Sequence, residues 1–206
     1  MRRRMVDALY EKGITDEAVL QALYKVPRHF FMDSAFLQHA YQDKPFAIGE
    51  GQTISQPYTV AVQSSLLAVE KGDKILEIGT GSGYQSSILM ELGARLYSIE
   101  YHQSLHESAS FLLRRMGYRG NFQCGDGSLG WVEEAPFDGI IVTAGAPAIP
   151  DALKEQLAMD GRLVLPVGKN NQQEMLKLIK TENGWQQQSH GLCSFVPLRG
   201  KAGWGM

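Results

Sequence analysis

Lys74-Ile75-Leu76-Glu77-Ile78-Gly79-Thr80-Gly81-Ser82-Gly83-Tyr84 decides the fold. The apolar run Lys74 to Ile78 is short, aliphatic and ends at glycine, as a buried strand does. Gln85 to Leu92 follows with Ile88, Leu89 and Leu92 at helical spacing, so the stretch reads as strand, tight glycine turn and helix. Glycines reach backbone angles closed to other residues and let a ligand approach the main chain. The helix start adds unpaired N–H groups and the positive end of a dipole. Such a turn makes a cofactor crevice at the carboxyl end of a parallel strand.

A pyrophosphate dinucleotide usually requires G-x-G-x-x-G at this turn. Here the pattern is G-x-G-x-G with Glu77 ahead of it, and a carboxylate is a poor neighbour for phosphate. It suits the ammonium and sulfonium groups of S-adenosyl-L-methionine. The next strand, Leu96 to Ile99, ends in Glu100, about 20 residues past the glycines, where a carboxylate accepts ribose hydroxyls. Asp126, between Gly125 and Gly127 at a later strand end, has two readings: a turn aspartate or an acceptor for the adenine amino group. With Glu77 and Glu100 on the same expected rim, the second is favoured. These residues point to a methyltransferase that releases S-adenosyl-L-homocysteine.

The 206 residues suit one compact domain with a sizeable core. Hydrophobic residues make up 44% and charged residues 20%, ordinary for a globular protein, and the net charge of -2 gives no field that would draw in nucleic acid or an anionic membrane. The basic run Arg2-Arg3-Arg4 reads as a solvated end. Cys124 and Cys193 lack metal-ligand or CxxC spacing, so reduced thiols, no metal and a cytoplasmic location are expected. No apolar run has membrane-spanning length and no signal-peptide core is evident.

Met5 to Tyr10 and Thr15 to Tyr24 read as two helices, the second capped by Thr15. Arg28 and His29, in the Val26-Pro27-Arg28-His29-Phe30 exit, read as solvated or packing residues. Residues 1–44 are expected to pack on the core, and 45–57 to form a long functional loop without helical period. Ser55, just before a helix over Tyr58 to Val69, fits equally an N-cap and a group that binds a carboxylate at a helix start. A helix over Ser104 to Met116, strands over Asn121 to Gln123, Phe137 to Val142 and Arg162 to Pro166, and a helix over Ile149 to Leu157 continue the alternation. The loop Thr143-Ala144-Gly145-Ala146-Pro147 falls on the cofactor side. Glu174 to Ile179 and Leu192 to Pro197 read as an antiparallel edge hairpin. The expected fold is α/β, a Rossmann-like S-adenosylmethionine-dependent methyltransferase fold: a three-layer sandwich with a mostly parallel sheet.

Gly51-Gln52-Thr53-Ile54-Ser55-Gln56-Pro57, the glycine turn, Gly125-Asp126-Gly127, Ala135-Pro136-Phe137-Asp138 and Phe195-Val196-Pro197-Leu198 occur in that order. Together they resemble protein-L-isoaspartate O-methyltransferase of the bacterial type, from Val26 to about Leu198. The glycine motif is shared by many methyltransferases; the Thr53-Ile54-Ser55 and Val196-Pro197-Leu198 segments are the specific ones. The resemblance implies that Ser55 is the catalytic serine, on a loop that closes over cofactor and substrate. It implies a cofactor set of Gln52, Thr53, Ile54, Glu77, Gly79, Gly81, Ser82, Glu100, Tyr101, Asp126, Gly127 and Thr143. Ile54, Ser55, Val196 and Arg199 would face the substrate. Phe46-Ala47 in place of Leu-Pro, Gly145 in place of alanine, and the tail Gly200 to Met206 depart from the family pattern.

The implied substrate is an isoaspartyl residue in a damaged protein or peptide, methylated on its free α-carboxylate by a monomeric enzyme that binds no nucleic acid and no membrane. The methyl ester would then collapse through a succinimide and return part of the material to normal aspartate. A carboxylate is already ionised at neutral pH, so the absence of an acid–base pair is expected. Three other readings carry less of the sequence. Methylation of a nucleic-acid base would call for backbone-binding charge; an NAD-dependent oxidoreductase conflicts with Glu77 and the glycine spacing; a non-catalytic module leaves the Ser55 loop unexplained.

Overall fold

The computed structural model describes residues 1–169 and 172–204. Among the described residues nine strands and six α-helices are formed: α1 (Arg2–Glu11), α2 (Glu17–Lys25), β1 (Phe46–Gly49), β2 (Gln52–Ile54), α3 (Pro57–Leu67), β3 (Lys74–Ile78), α4 (Tyr84–Glu91), β4 (Arg95–Glu100), α5 (Gln103–Arg115), β5 (Asn121–Cys124), β6 (Phe137–Val142), α6 (Asp151–Glu155), β7 (Leu157–Lys169), β8 (Gln172–Thr181) and β9 (Gly184–Cys193). Seven strands make one sheet in the order β5-β4-β3-β6-β7-β8-β9. The pairs from β5 to β7 are parallel, and β7–β8 and β8–β9 are antiparallel.

Strand periodicity splits the core in two. Leu76, Ile78, Ile140, Val142, Leu163 and Leu165 join one buried cluster, while Ile75, Ile141, Val164 and Met175 join another. Successive side chains of a strand point to opposite faces, so each cluster is one face of the sheet. A third cluster joins Met5 and Leu9 of α1 and Val19 and Leu23 of α2 to Val60 and Ala61 of α3 and Tyr84 and Ile88 of α4. The N-terminal helices thus cover the outer side of α3 and α4. Beside β3 the strand order turns, with β4 on one side and β6 on the other, and the crevice opens beyond the carboxyl ends at this switch.

Three local readings are corrected. Asp16, not Thr15, caps α2, accepting from the Val19 N–H at 3.1 Å. The 45–57 segment is not an irregular loop throughout: β1 and β2 pair as an antiparallel hairpin. The second strand of the edge hairpin is Gly184–Cys193, so only its last two residues fall in the expected Leu192 to Pro197. Phe195 to Leu198 instead returns to the loop after β6: Gly145 N–H donates to Val196 O at 2.8 Å and Leu198 N–H donates to Gly145 O at 2.9 Å. The tail beyond it folds back, with Trp204 Nε1 donating to Gly145 O at 2.9 Å; Gly205 and Met206 of the tail reading lie outside the described residues. No described helix is long and apolar enough to cross a membrane.

Candidate active site

The glycine turn after β3 forms one wall of a crevice open to solvent. Gly79 and Gly81 sit at φ +99° and +54°, conformations that side-chain-bearing residues rarely adopt. A Cβ on Gly79 would collide with Thr143 Oγ1, which donates to Gly79 O at 2.7 Å from the loop after β6. The β1–β2 hairpin lies over the turn: a Cβ on Gly81 would stand 3.5 Å from Ile48 Cδ1. Its tip is tied to the start of α5, where Ser104 Oγ donates to Glu50 Oε1 at 2.7 Å.

Glu100, at the end of β4, lines the crevice and is 4% exposed. Its Oε2 accepts from the Gly81 N–H at 2.8 Å and its Oε1 from the His102 N–H at 2.9 Å. An ionised carboxylate has about four acceptor sites, so two remain, enough for a vicinal diol. The turn's main chain and this accepting carboxylate are the groups a nucleoside with a sulfonium side chain calls for, and the site fits S-adenosylmethionine.

Gln52, Thr53, Ile54, Ser55, Gly79, Gly81, Ser82, Glu100, Tyr101, Gly127, Thr143, Val196 and Arg199 all line this crevice. Glu77 and Asp126 are not among the lining residues, and the rim reading of Glu77 is corrected. Glu77 is 0% exposed and lies behind the turn. It shares the sheet face of Ile75, beneath α4. Its Oε2 accepts from Ser86 Oγ of α4 at 2.5 Å and from Ser98 Oγ of β4 at 2.7 Å. Since Ser98 donates to Glu77, Thr80 Oγ1 of the turn donates to Ser98 Oγ at 2.6 Å. Burial raises the Glu77 carboxyl to about 8 against the two hydroxyl bonds, and the charge of Glu100 adds to the rise.

Asp126 has both oxygens engaged by protein. Oδ1 accepts from Ser128 N–H at 3.0 Å and Ser128 Oγ at 2.6 Å, and Oδ2 from the Lys201 N–H of the tail at 2.8 Å. It makes the bonds of a turn aspartate and also anchors the C-terminus, and one acceptor site of Oδ2 is left over. Its neighbour Gly127 is the residue that reaches the crevice.

Ser55 is not the cap of α3. Gln56 holds that position without a side-chain bond, Pro57 opens the helix, and Asp43 Oδ1 accepts from the Tyr58 N–H at 2.8 Å. A second cavity of about 480 Å3 lies beyond, between α3 and the end of β9, with Tyr58, Val62, His190 and Leu192 among its walls. Thr53, Ser55, Thr143 and Val196 line both cavities.

Sequence reasoning missed Tyr84, Gln85 and His102 on the crevice wall. Tyr84 directly follows the last glycine, and that adjacency was the available signal. It gave Arg28 a surface or packing place at a helix exit. Arg28 is wholly buried and donates to Ser55 O, Ala40 O and Lys44 O.

A family model described as Protein-L-isoaspartate(D-aspartate) O-methyltransferase (PCMT) matches residues 1–203. A protein-L-isoaspartate O-methyltransferase of Cytophaga hutchinsonii is 56% identical over 205 residues, covering 99% of this chain and 93% of the relative. One of Geobacter metallireducens is 48% identical over 207 residues, covering 99% and 96%. A solved protein-L-isoaspartate O-methyltransferase superposes with TM-score 0.89 at 28% identity, over 98% of this chain and 67% of that one. A solved Plasmodium falciparum homologue in complex with S-adenosyl-L-homocysteine superposes with TM-score 0.83 at 22% identity, over 96% and 98%.

Proposed function

The chain belongs to the protein-L-isoaspartate(D-aspartate) O-methyltransferase family, and from that membership we propose that Ser55 holds the substrate carboxylate where two cavities meet. The protein is an S-adenosylmethionine-dependent enzyme of protein repair, methylating the free α-carboxylate of L-isoaspartyl residues. The observation that carries the site assignment is the shared lining of Thr53, Ser55, Thr143 and Val196. One cavity has the glycine turn and Glu100 for a nucleoside; the other is large enough for peptide; only at the junction can their reacting groups meet.

When bound, S-adenosylmethionine supplies an electrophilic methyl group on a sulfonium. A substrate carboxylate oxygen forms the new C–O bond as the C–S bond breaks, and the bonding pair leaves with sulfur. No proton moves, so no general base is required. Gly79, Gly81 and Ser82 of the turn and Tyr101 and Gly127 opposite make the walls around the nucleoside. Glu100 offers its free lone pairs to the ribose hydroxyls. Gln52, Thr53 and Ile54 form the roof. Thr143 fixes the glycine turn by donating to Gly79 O. Ser55 donates one hydrogen bond to the substrate carboxylate and orients it. Val196 closes the peptide side, and Arg199 stands on the crevice side of it. The transition state has less charge than the reactants, so a pocket that excludes water while holding both groups in register favours it. We place the enzyme in the cytoplasm, working as a single-domain monomer without nucleic acid. The two unpaired cysteines and the net charge of -2 support this reading.

The test is methyl transfer from labelled S-adenosylmethionine to two peptides that differ only in an aspartyl or isoaspartyl linkage. Label on the isoaspartyl peptide alone is expected; equal labelling of both would remove the linkage specificity. In the same assay Ser55→Ala should lower kcat by about 10- to 100-fold, the weight of one hydrogen bond to a charged group. Its affinity for S-adenosylhomocysteine should stay within about twofold of wild type, since the lost bond goes to substrate. A comparable loss of nucleoside affinity would move Ser55 from the substrate to the cofactor.

A further inference from the structure

Arg28 and Glu77 are the two ionisable side chains with 0% exposure among the described residues. Glu77 is explained by the hydroxyls that hold the glycine turn. Arg28 stands where a cation is costly: no carboxylate pairs with it among the described ion pairs, and burial lowers its pKa. Its partners are main-chain carbonyls. Nε donates to Ala40 O at 2.9 Å, Nη1 to Ser55 O at 2.8 Å and Nη2 to Lys44 O at 3.1 Å. The guanidinium carbon lies 5.0 Å from the centroid of the Tyr84 ring, whose face attracts a cation.

Satisfying buried carbonyls accounts for Ala40 and Lys44, which belong to the chain leading into the hairpin. It leaves the other two contacts unexplained. The third carbonyl is that of Ser55, and Tyr84 is a wall of the nucleoside crevice, one residue past the glycine turn. One rigid planar fork therefore touches the residue that orients the substrate and the element that seats the methyl donor. A guanidinium presents five N–H donors in fixed geometry, whereas an ammonium is a point charge on a flexible stem. The fork can fix the plane of the Ser55–Gln56 peptide, and with it the direction in which the Ser55 side chain leaves the main chain.

We propose that Arg28 is a positioning residue for methyl transfer: it locks the Ser55 peptide relative to Tyr84 and so sets the register between carboxylate and methyl group. The inference rests on the assignment of Ser55 to the substrate. A displacement of about 1 Å can cost about 100-fold in rate, so the effect falls on turnover.

The experiment is a double-mutant cycle of Arg28→Lys and Ser55→Ala, with rates counted per S-adenosylhomocysteine-binding site so that unfolded protein does not enter. Arg28→Lys alone is expected to lower kcat on the isoaspartyl peptide by about 10- to 100-fold, with nucleoside affinity within about threefold of wild type. In the Ser55→Ala background the same change should cost less than about twofold, because both act through one contact. Millimolar methylguanidinium should restore part of the activity of Arg28→Gly and none of that of Ser55→Ala. Wild-type kcat per binding site in Arg28→Lys, or full additivity in the cycle, overturns the proposal while leaving Ser55 in place. Wild-type kcat in Ser55→Ala removes the premise instead. Should the Arg28 variants not fold, wild-type protein labelled with 15N-arginine tests the same point. Its Arg28 Nε–H resonance should shift when isoaspartyl peptide joins the S-adenosylhomocysteine complex, and an unchanged resonance overturns the proposal.

Discussion

Gly79 and Gly13 have nearly the same φ, +99° and +96°, but different surroundings. A Cβ on Gly13 meets nothing within 4 Å, while one on Gly79 drives into Thr143 Oγ1, which has nowhere to go while it holds Gly79 O. Gly13→Ala should therefore cost only the left-handed strain, about 1–2 kcal/mol of stability, with nucleoside affinity unchanged. Gly79→Ala should also push the crevice wall outward and raise the S-adenosylhomocysteine Kd by about tenfold or more. Calorimetric titration of both variants separates strain from collision, and equal Kd values would show that the Thr143 contact is slack. Glu77 makes a second prediction. Its carboxyl keeps a proton in the folded state up to about pH 8, and the unfolded chain releases it near 4.5. The folded state binds more protons in that window, so the stability linked to Glu77 is complete below about pH 4.5 and is lost as pH rises through about 8. Glu77→Gln, a neutral isostere that can still accept from Ser86 and Ser98, should lose less Tm than wild type between about pH 6 and about pH 9. Parallel melting curves for the two proteins would contradict a buried, proton-holding carboxyl.

At the scale of elements, what could be read in advance depended on length and on burial. β3, the glycine turn and α4 were legible because a run of aliphatic residues ended in glycines and resumed at helical spacing. β6, buried on both faces, was legible for the same reason. β1 and β2 have four and three residues, too few to display a period. β9 was placed too late because Trp185 to His190, polar apart from the tryptophan, lie exposed on the open edge, where no core imposes alternation. Glu77 and Glu100 looked equivalent, yet strand geometry separates them: Glu77 lies inside β3 with its side chain under α4, and Glu100 is the last residue of β4, beside the crevice. Asp126 depended on a partner at Lys201 that spacing along the chain cannot reveal. That link also yields a test. Asp126→Ala removes the acceptor for Ser128 and for the tail at once and should destabilise by about 1–2 kcal/mol, as loss of a capping side chain does. The tail should become the first site of proteolysis, because the Lys201 N–H loses its acceptor. If the tail is cut no faster than in wild type, the bonds from Ala202 and Trp204 hold it without Asp126.

Across the whole molecule, the crevice is assembled from parts of the chain that are far apart in sequence: Gln52 to Ser55 from the hairpin, Ile78 to Ser82 from the glycine turn, Glu100 to His102 beyond β4, and Val196 to Arg199 from the C-terminal return. Three of these four parts have an anchor of their own. Arg28 holds the first, Glu77 and Glu100 the second, and the Gly145 ladder the last. A ligand that touches all of them should tie the folded state together without creating any new element. S-adenosylhomocysteine at about 100 times its Kd should add about 2.7 kcal/mol, which for a chain of this length raises Tm by about 5–10 °C. The shift alone cannot say which parts the nucleoside touches, but amide hydrogen exchange can. Slowed exchange is expected in the glycine turn and in the two distant segments, Gln52 to Ser55 and Val196 to Arg199, to a similar degree. Protection confined to the turn and the end of β4 would mean that the hairpin and the C-terminal return close only over the peptide. The assignment of Gln52, Thr53 and Ile54 to the nucleoside would then pass to the substrate.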